Sequence, residues 1–181
     1  MIYDEIEEYI AGYPIYQYAF MDSAEVEFSD RVRTICKKEC TRYGHSWSCP
    51  PAVGSVRSCE AICKKYPKAL LFSTVAEVED YSNMDKLLES KEEHELITRQ
   101  ILRYLKEHDV ICYALSSDSC SICDKCAYPK ACRHPEAVLP CIESHGIVVM
   151  NAIEKCSMDF YLGENTVLWF TMIFLKNVYE F

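Results

Sequence analysis

The stretch Ala69-Leu70-Leu71-Phe72-Ser73-Thr74-Val75 carries the clearest structural signal in the chain. It is short for a helix, and its almost continuous apolar character is typical of a strand that is buried on both faces. Outward from this stretch, β-branched and aromatic residues predict further strands over Tyr16–Met21, Val110–Leu115 and Thr166–Leu175. We therefore expect a small β-sheet.

Helical patterns surround these strands. Apolar stripes and end signals predict helices over residues 2–12, 55–66, 82–108 and 135–144, the third with a kink near Ser90. Ser55 is a suitable N-cap, and Pro135 opens the last helix. We predict one α+β domain over residues 1–181. Its small mixed β-sheet is packed by helices and interrupted by two cysteine-rich loops, Cys36–Pro51 and Ser119–His134.

Composition and charge exclude several classes of protein. Apolar residues make up 50% of the 181-residue chain, which is enough for a core and argues against global disorder. The formal net charge of −9 argues against a general nucleic-acid binder. The longest apolar run, Thr166–Leu175, is far shorter than the roughly 20 residues that span a bilayer. The acidic N-terminus does not resemble a secretion signal, so we expect a cytoplasmic protein without a membrane segment.

Cysteine is the outlying residue, with 12 in the chain. An even number of cysteines in a secreted protein would suggest disulfides, but such scaffolds are usually small and poor in core. In the cytoplasm thiols stay reduced. We therefore interpret the cysteines either as packing residues or as metal ligands.

The strongest motif runs from Cys120 through Cys123 and Cys126 to Cys132, with the spacing C-x2-C-x2-C-x5-C. Three thiolates separated by two-residue gaps resemble the loop that holds an iron–sulfur cluster in bacterial ferredoxins, although the gap before the fourth cysteine is longer here. Zinc sites more often use separated C-x2-C pairs. The polar neighbours of these cysteines also disfavour simple packing. The motif therefore favours an iron–sulfur cluster, with zinc as the alternative.

A second group of cysteines precedes a rigid Pro50-Pro51 pair. Cys36, Cys40 and Cys49 form the pattern C-x3-C-x8-C-P-P. Three local thiolates make a metal site that needs a fourth ligand from elsewhere or that leaves one coordination position open. The alternative is a loop whose thiols pack beneath its aromatic residues. The pattern does not decide between iron and zinc.

The remaining cysteines and the histidines give weaker signals. For all five remaining cysteines the favoured interpretation is a packed core residue, namely Cys59, Cys63, Cys112, Cys141 and Cys156. Cys59 and Cys63 share a helix face and could instead reach a metal near Cys49. His45 and His134 adjoin the motifs and could touch a metal or its ligands. His145 is interpreted as a cation at the end of a helix.

Both motifs together, extended by Cys132-Arg133-His134-Pro135-Glu136, resemble a prokaryotic family of cysteine-rich predicted metal-binding proteins, a domain of unknown function. The likeness covers most of the chain. It implies metal binding, with an iron–sulfur centre expected, but no reaction. The family pattern includes seven of the cysteines as ligands: Cys36, Cys40, Cys49, Cys120, Cys123, Cys126 and Cys132.

The leading functional hypothesis is a protein with one [4Fe–4S] cluster and a second metal centre that transfers electrons at low potential or supplies them to a partner enzyme. One alternative is an enzyme that binds substrate at an open iron position. Another is an interaction module held together by structural zinc. Seven cysteines are one short of two complete clusters, and Cys132 could cross over to complete the first loop's site. No catalytic residue and no oligomeric state are indicated.

Overall fold

A four-stranded antiparallel sheet organises the chain. The structure is a computed structural model, and it describes residues 2–78 and 84–177. The strands are β1 (Gln17–Asp22), β2 (Lys68–Glu77), β3 (Val110–Leu115) and β4 (Thr166–Asn177). Their order across the sheet is β1-β2-β4-β3, and each neighbouring pair is antiparallel. The α+β class is therefore confirmed, whereas the named strands form an antiparallel sheet and not the mixed one that the sequence suggested.

The two central strands are buried on both faces, as their apolar runs require. Side chains alternate along a strand, so Leu70 and Phe72 face one core while Ala69 and Leu71 face the other. Fully burying a Leu or Phe side chain stabilises the fold by roughly 1.5–3 kcal/mol. The sheet therefore has a hydrophobic core on each side.

Five helices lie around this sheet among the described residues. They are α1 (Ile2–Ile10), α2 (Asp30–Glu39), α3 (Val56–Cys63), α4 (Met84–Glu107) and α5 (Val149–Lys155). Helices α1 and α4 contribute Ile6 and Ile101 to one core, and α5 contributes Ile153 to the other. Within residues 2–78 and 84–177, no helix has the length and apolar character that crossing a membrane requires.

Three of the predicted helices are confirmed. Helix α1 covers most of the predicted residues 2–12, and Ser55 caps α3 by accepting a hydrogen bond from the Ser58 N–H at 3.1 Å. Helix α4 continues through Ser90, and residues 82 and 83 of its predicted span lie outside the described residues.

The predicted helix over residues 135–144 is wrong. The structure has only single 3₁₀ turns there, at Pro135–Ala137 and Glu143–His145. Pro140 lies inside the predicted helix, where proline removes a backbone donor and clashes with the preceding turn. The chain around Pro140 is extended and forms a bridge to Ser116, just beyond β3.

Helix α2 was not predicted, and its first half precedes the stretch that the sequence analysis assigned to a loop. None of its residues is buried, so it lacks the apolar stripe by which a helix is recognised from sequence. Ser29 caps it by accepting a hydrogen bond from the Arg31 N–H at 3.2 Å. Cys36 consequently lies on a helix and Cys40 caps its C-terminal end.

Gly146 brings the segment after Cys141 close to α2 and α3. Its φ of +78° lies in the left-handed region, and its N–H closes the turn by donating to the carbonyl of Glu143 at 3.0 Å. A Cβ on Gly146 would lie 2.8 Å from a methyl group of Val56. Only glycine therefore allows this approach, which sets the position of the cleft described below.

Candidate metal centre

The structure places the seven candidate cysteines in two neighbouring groups. All 12 cysteines of the chain are free thiols. We call the first group the Cys120 set; it contains Cys120, Cys123, Cys126 and Cys132. We call the second group the Cys36 set; it contains Cys36, Cys40 and Cys49.

The four members of the Cys120 set line one cavity. The loop after β3 supplies all four, and Ile122 and Val138 contribute apolar side chains to the same walls. Trp47, from the first cysteine loop, and His134 also line it. Four thiols around one largely apolar cavity are, by residue type and number, the donor set that a [4Fe–4S] cluster uses.

Backbone amides and a hydroxyl surround the thiol of Cys126. Burial alone would raise the pKa of this thiol, but hydrogen bonds from the Tyr128 and Trp47 backbones and from Ser46 outweigh that effect and lower it. The thiolate is the form that binds a metal. The surroundings of Cys126 therefore favour the ligand form of this side chain.

A buried cation anchors the start of the same loop. Lys91 of α4 is only 1% exposed, and its Nζ donates to the carbonyl of Ser119 at 2.5 Å. The same Nζ lies 3.3 Å from a carboxylate oxygen of Glu95, which also pairs with Arg99 at 3.5 Å. The structure thus fixes a positive charge next to the residue that precedes Cys120.

The Cys36 set lies beside an open cleft. Cys36 and Cys40 are four residues apart, so the end of α2 presents both on one side. Both line a cleft of about 390 Å³, together with Cys141 and Glu143. Burial is the main cause that raises the pKa of Cys36, and the neighbouring Cys40 thiol raises it further. Such a cleft lies within the roughly 300–1,000 Å³ that small-ligand sites occupy.

Cys49, the third member of the Cys36 set, is buried, and its thiol is hydrogen-bonded to the thiol of Cys141. The Cys141 thiol donates to the Cys49 thiol, and this hydrogen bond lowers the pKa of Cys49. The same bond and burial hold the pKa of Cys141 well above its ordinary value. Cys49 is also close enough to Cys36 for the two thiols to interact electrostatically. Cys141 therefore belongs to this group in space although it is distant in sequence.

The segment Ser46-Trp47-Ser48 joins the two sets. Ser48, which is fully buried, accepts a hydrogen bond from the Cys120 N–H at 2.8 Å, and its hydroxyl lies 2.9 Å from that of Ser46. The Ser46 hydroxyl in turn is hydrogen-bonded to the thiols of Cys126 and Cys49. The two cysteine loops therefore form one structural unit with a set of thiols on each side of this segment.

Trp47 adds a second link between the loops. Its Nε1 donates to the carbonyl of Lys130 at 2.8 Å, and its ring meets the ring of Tyr128 edge-on at 5.1 Å. Trp47 therefore contacts the other cysteine loop through both its ring nitrogen and its ring face or edge.

The other cysteines are packed residues, and one of them also lines the cleft. Cys63, Cys112 and Cys156 pack in or against the hydrophobic cores, as expected. Cys59 is fully buried, and its thiol donates to the carbonyl of Val53 at 3.3 Å. Cys141 is buried, as expected, and it also lines the cleft of the Cys36 set. No local spacing could have indicated its place at the cleft, because the contact joins distant parts of the chain.

The histidines also differ from expectation. His45 is exposed, whereas His134 lines the cavity of the Cys120 set. The interpretation of His145 as a cation is wrong: it is buried, and its Nε2 lies 2.7 Å from the Tyr113 hydroxyl. Burial lowers the pKa of His145 to about 4, so it is neutral at pH 7.

Within residues 2–78 and 84–177, no group of three or more His, Cys, Asp or Glu side chains is arranged to hold a single metal ion. Cys132 lines the cavity with the rest of its own set, and the described lining of the cleft beside Cys36 does not include it. The structure thus favours the arrangement in which Cys132 does not cross over.

These features define a cysteine-rich metal-binding protein. The chain belongs to the family described as predicted metal-binding protein (DUF2284), whose family model matches residues 19–175. The match includes all seven candidate cysteines and Cys141. No curated protein and no solved structure matches the chain significantly.

Proposed function

We propose that this protein is an iron–sulfur protein that holds a [4Fe–4S] cluster on the Cys120 set, holds a second metal centre on the Cys36 set, and transfers electrons to a partner. The observation that carries the proposal is the single cavity that Cys120, Cys123, Cys126 and Cys132 line together. A [4Fe–4S] cluster takes four cysteine thiolates, and the first three of these have the two-residue spacing of ferredoxins.

The surrounding residues suit a redox centre. A bound cluster would supply one-electron chemistry at a potential set by hydrogen bonds to sulfur, local charge and solvent exposure. Backbone donors near Cys126 and the fixed charge of Lys91 would both favour the reduced, more negative state. Trp47, Ile122 and Val138 would limit the access of water to the cavity.

An acidic surface lies next to this cavity, and it supports docking of a basic redox partner. Glu89, Glu92 and Glu93 are exposed on α4, and a shallow cleft connects Glu92 to Ser121 and Ile122 of the ligand loop. Charge complementarity speeds the encounter of two proteins and makes it sensitive to salt. The net charge of −9 would also attract a basic partner. We place the protein in the cytoplasm, where its thiols would stay reduced.

The cleft of about 390 Å³ beside Cys36 and Cys40 favours a second candidate function, an enzyme that binds substrate at an open iron position. In a third candidate function, both sets of cysteines hold structural zinc and the protein acts through an interface with another protein.

Metal analysis after anaerobic purification tests these functions against one another. We expect iron and acid-labile sulfide in the protein, a broad absorption near about 400 nm, and an EPR signal after reduction. Cys123→Ser should remove most of the cluster signal, while Cys112→Ala, which replaces a cysteine packed against the core, should leave it unchanged. A colourless protein that carries only zinc would exclude the cluster functions.

Partner docking is tested separately by charge reversal. Glu92→Lys combined with Glu93→Lys should slow reduction or oxidation of the protein by a basic electron-transfer protein such as cytochrome c, most strongly at low salt. Glu7→Lys with Glu8→Lys on α1 is the matched control, since it changes the net charge equally but lies on another helix. Equal rates in both double variants would argue against docking at α4.

A further inference from the structure

The Cys36 set provides three thiolates, and a Cys₄ metal site needs four. The question of the fourth ligand rests on the proposal above that this set binds a metal. Five cysteines outside the two loops are buried or half-buried, and they can be compared by what each contacts: Cys59, Cys63, Cys112, Cys141 and Cys156.

Cys141 is held at the cleft by the backbone on both sides of it. The Ile142 N–H donates to the Ser116 carbonyl at 3.0 Å, and the Ser116 N–H donates to the Pro140 carbonyl at 2.9 Å. The Ser144 hydroxyl donates to the Cys141 carbonyl at 2.6 Å. These bonds connect the backbone around Cys141 to the end of β3 and hold it beside the cleft.

The neighbours Cys141 and Ile142 lie in different surroundings. The chain turns at Ile142, whose φ of −56° and ψ of −49° are helical, and this residue is 1% exposed and packs in the hydrophobic core. Cys141 instead lines the cleft with Cys36 and Cys40.

Cys141 contacts the remaining member of the set directly. Its thiol is hydrogen-bonded to the thiol of Cys49, which itself interacts with Cys36. Four thiols from three separate parts of the fold are therefore linked by a shared cleft or by direct contact: two from the end of α2, one from the first loop, and one from the segment after Pro140.

The other cysteines do not fill this place. Cys132 lines the other cavity. Cys59 is fully buried between the guanidinium of Arg33, 3.5 Å away, and the carbonyl of Val53. Cys63 packs in the core. Glu143 also lines the cleft, but iron–sulfur clusters and zinc both favour thiolate over carboxylate ligands.

We propose that Cys141 is the fourth ligand of the second metal centre and completes a Cys₄ site with Cys36, Cys40 and Cys49. The chain then holds eight cysteine ligands, enough for two complete clusters. A fully thiolate-ligated second centre has no open iron position, so this assignment favours electron transfer over the enzyme that binds substrate there.

Metal content and EPR of the reduced holoprotein test the assignment. We expect about eight irons per chain in the wild type if both centres are [4Fe–4S] clusters. Cys141→Ala should lose about half of this iron or show, in EPR of the oxidised protein, the signal of a three-iron cluster. The signal of the Cys120 set should persist after reduction and demonstrate that the variant is folded. Cys156→Ala, which removes a half-buried thiol packed against the core, is the matched control and should keep the full content. Glu143→Gln should also keep it.

Full metal content and an unchanged spectrum in Cys141→Ala would overturn the assignment, as would a Cys49–Cys141 disulfide found by mass spectrometry in the wild-type holoprotein. If Cys141→Ala does not fold, the nearly isosteric Cys141→Ser replaces it with the same two outcomes. If neither folds, iodoacetamide mapping of the wild type decides: Cys141 must become reactive together with Cys36 and Cys40 when the metal is stripped. Failure of the proposed function looks different, because a protein with zinc alone would still lose one zinc in Cys141→Ala.

Discussion

Ser48→Ala tests whether one buried hydroxyl holds the two cysteine loops together. The substitution keeps the shape of the site but leaves the Cys120 N–H without its acceptor at 2.8 Å, and the Ser46 hydroxyl loses one of its partners, at 2.9 Å. An unsatisfied buried amide costs about 1–3 kcal/mol. For a chain of this length that corresponds to a melting temperature lowered by roughly 2–12 °C. Because Cys120 loses its anchor, a chelator should also remove iron from the Cys120 set faster.

The assay is thermal denaturation of anaerobically purified protein, followed by circular dichroism at matched metal content. Ser58→Ala is the control, since Ser58 is exposed and its hydroxyl bonds only at the start of α3. Exposed substitutions of this kind stay within about 0.5 kcal/mol of the wild type. If Ser48→Ala matched Ser58→Ala in both stability and rate of iron loss, the hydroxyl would not join the loops.

Three further predictions concern the parts of the fold that support the site. Gly146→Ala should lower the free energy of unfolding in urea more than Gly44→Ala does. Both glycines have a φ near +75°, but of these two only Gly146 would place the new Cβ in a clash, which costs about 1–3 kcal/mol. Equal losses of stability in the two variants would refute the clash. Lys91→Met should lower the free energy of unfolding by about 1–3 kcal/mol, because the buried Glu95 carboxylate keeps only its pair with Arg99 and the Ser119 carbonyl loses its donor. It should also make the reduction potential of the adjacent centre more negative, whereas Lys106→Met on the exposed end of α4 should do neither; a voltammogram unchanged in Lys91→Met would place the centre elsewhere. Burial lowers the pKa of His94 to about 4, below its value of about 6.5 in the unfolded chain, so this histidine contributes stability that is present at pH 7 and is lost as the pH falls toward 4. Between pH 7 and pH 5 the wild type should therefore lose about 2 kcal/mol more than His94→Gln, and parallel stability profiles for the two proteins would contradict the burial of a neutral imidazole.

The strands could be predicted because their signal is local. β3 has the predicted bounds, Val110–Leu115, and the predicted cores of β2 and β4 are extended by only a few residues. A run of apolar residues is buried on both faces whatever its partners are. The relative direction of neighbouring strands could not be predicted from such local signals, since the same apolar runs can build an antiparallel or a mixed sheet.

Helices could be predicted only where they bury a row of apolar side chains at helical spacing. Helix α4 buries Ile101 and Leu105 at helical spacing, whereas α2 buries no residue and depends on its cap at Ser29. The false helix over residues 135–144 came from its suitable ends, a start signal at Pro135 and a stop signal after it. Pro140 in its middle and the backbone bonds to Ser116 decided against it.

The sequence by itself determined that this is a cysteine-rich metal-binding protein, because ligand spacing within a loop is a property of neighbouring residues. It gathered Cys120, Cys123, Cys126 and Cys132 into one motif, and the structure places them around one cavity. Only the tertiary structure decided that Cys141 joins the Cys36 set and that Ser48 connects the two loops. Both contacts join segments that are far apart in the chain, and they form because the sheet, the turn at Gly146 and the extended segment around Pro140 bring those segments together.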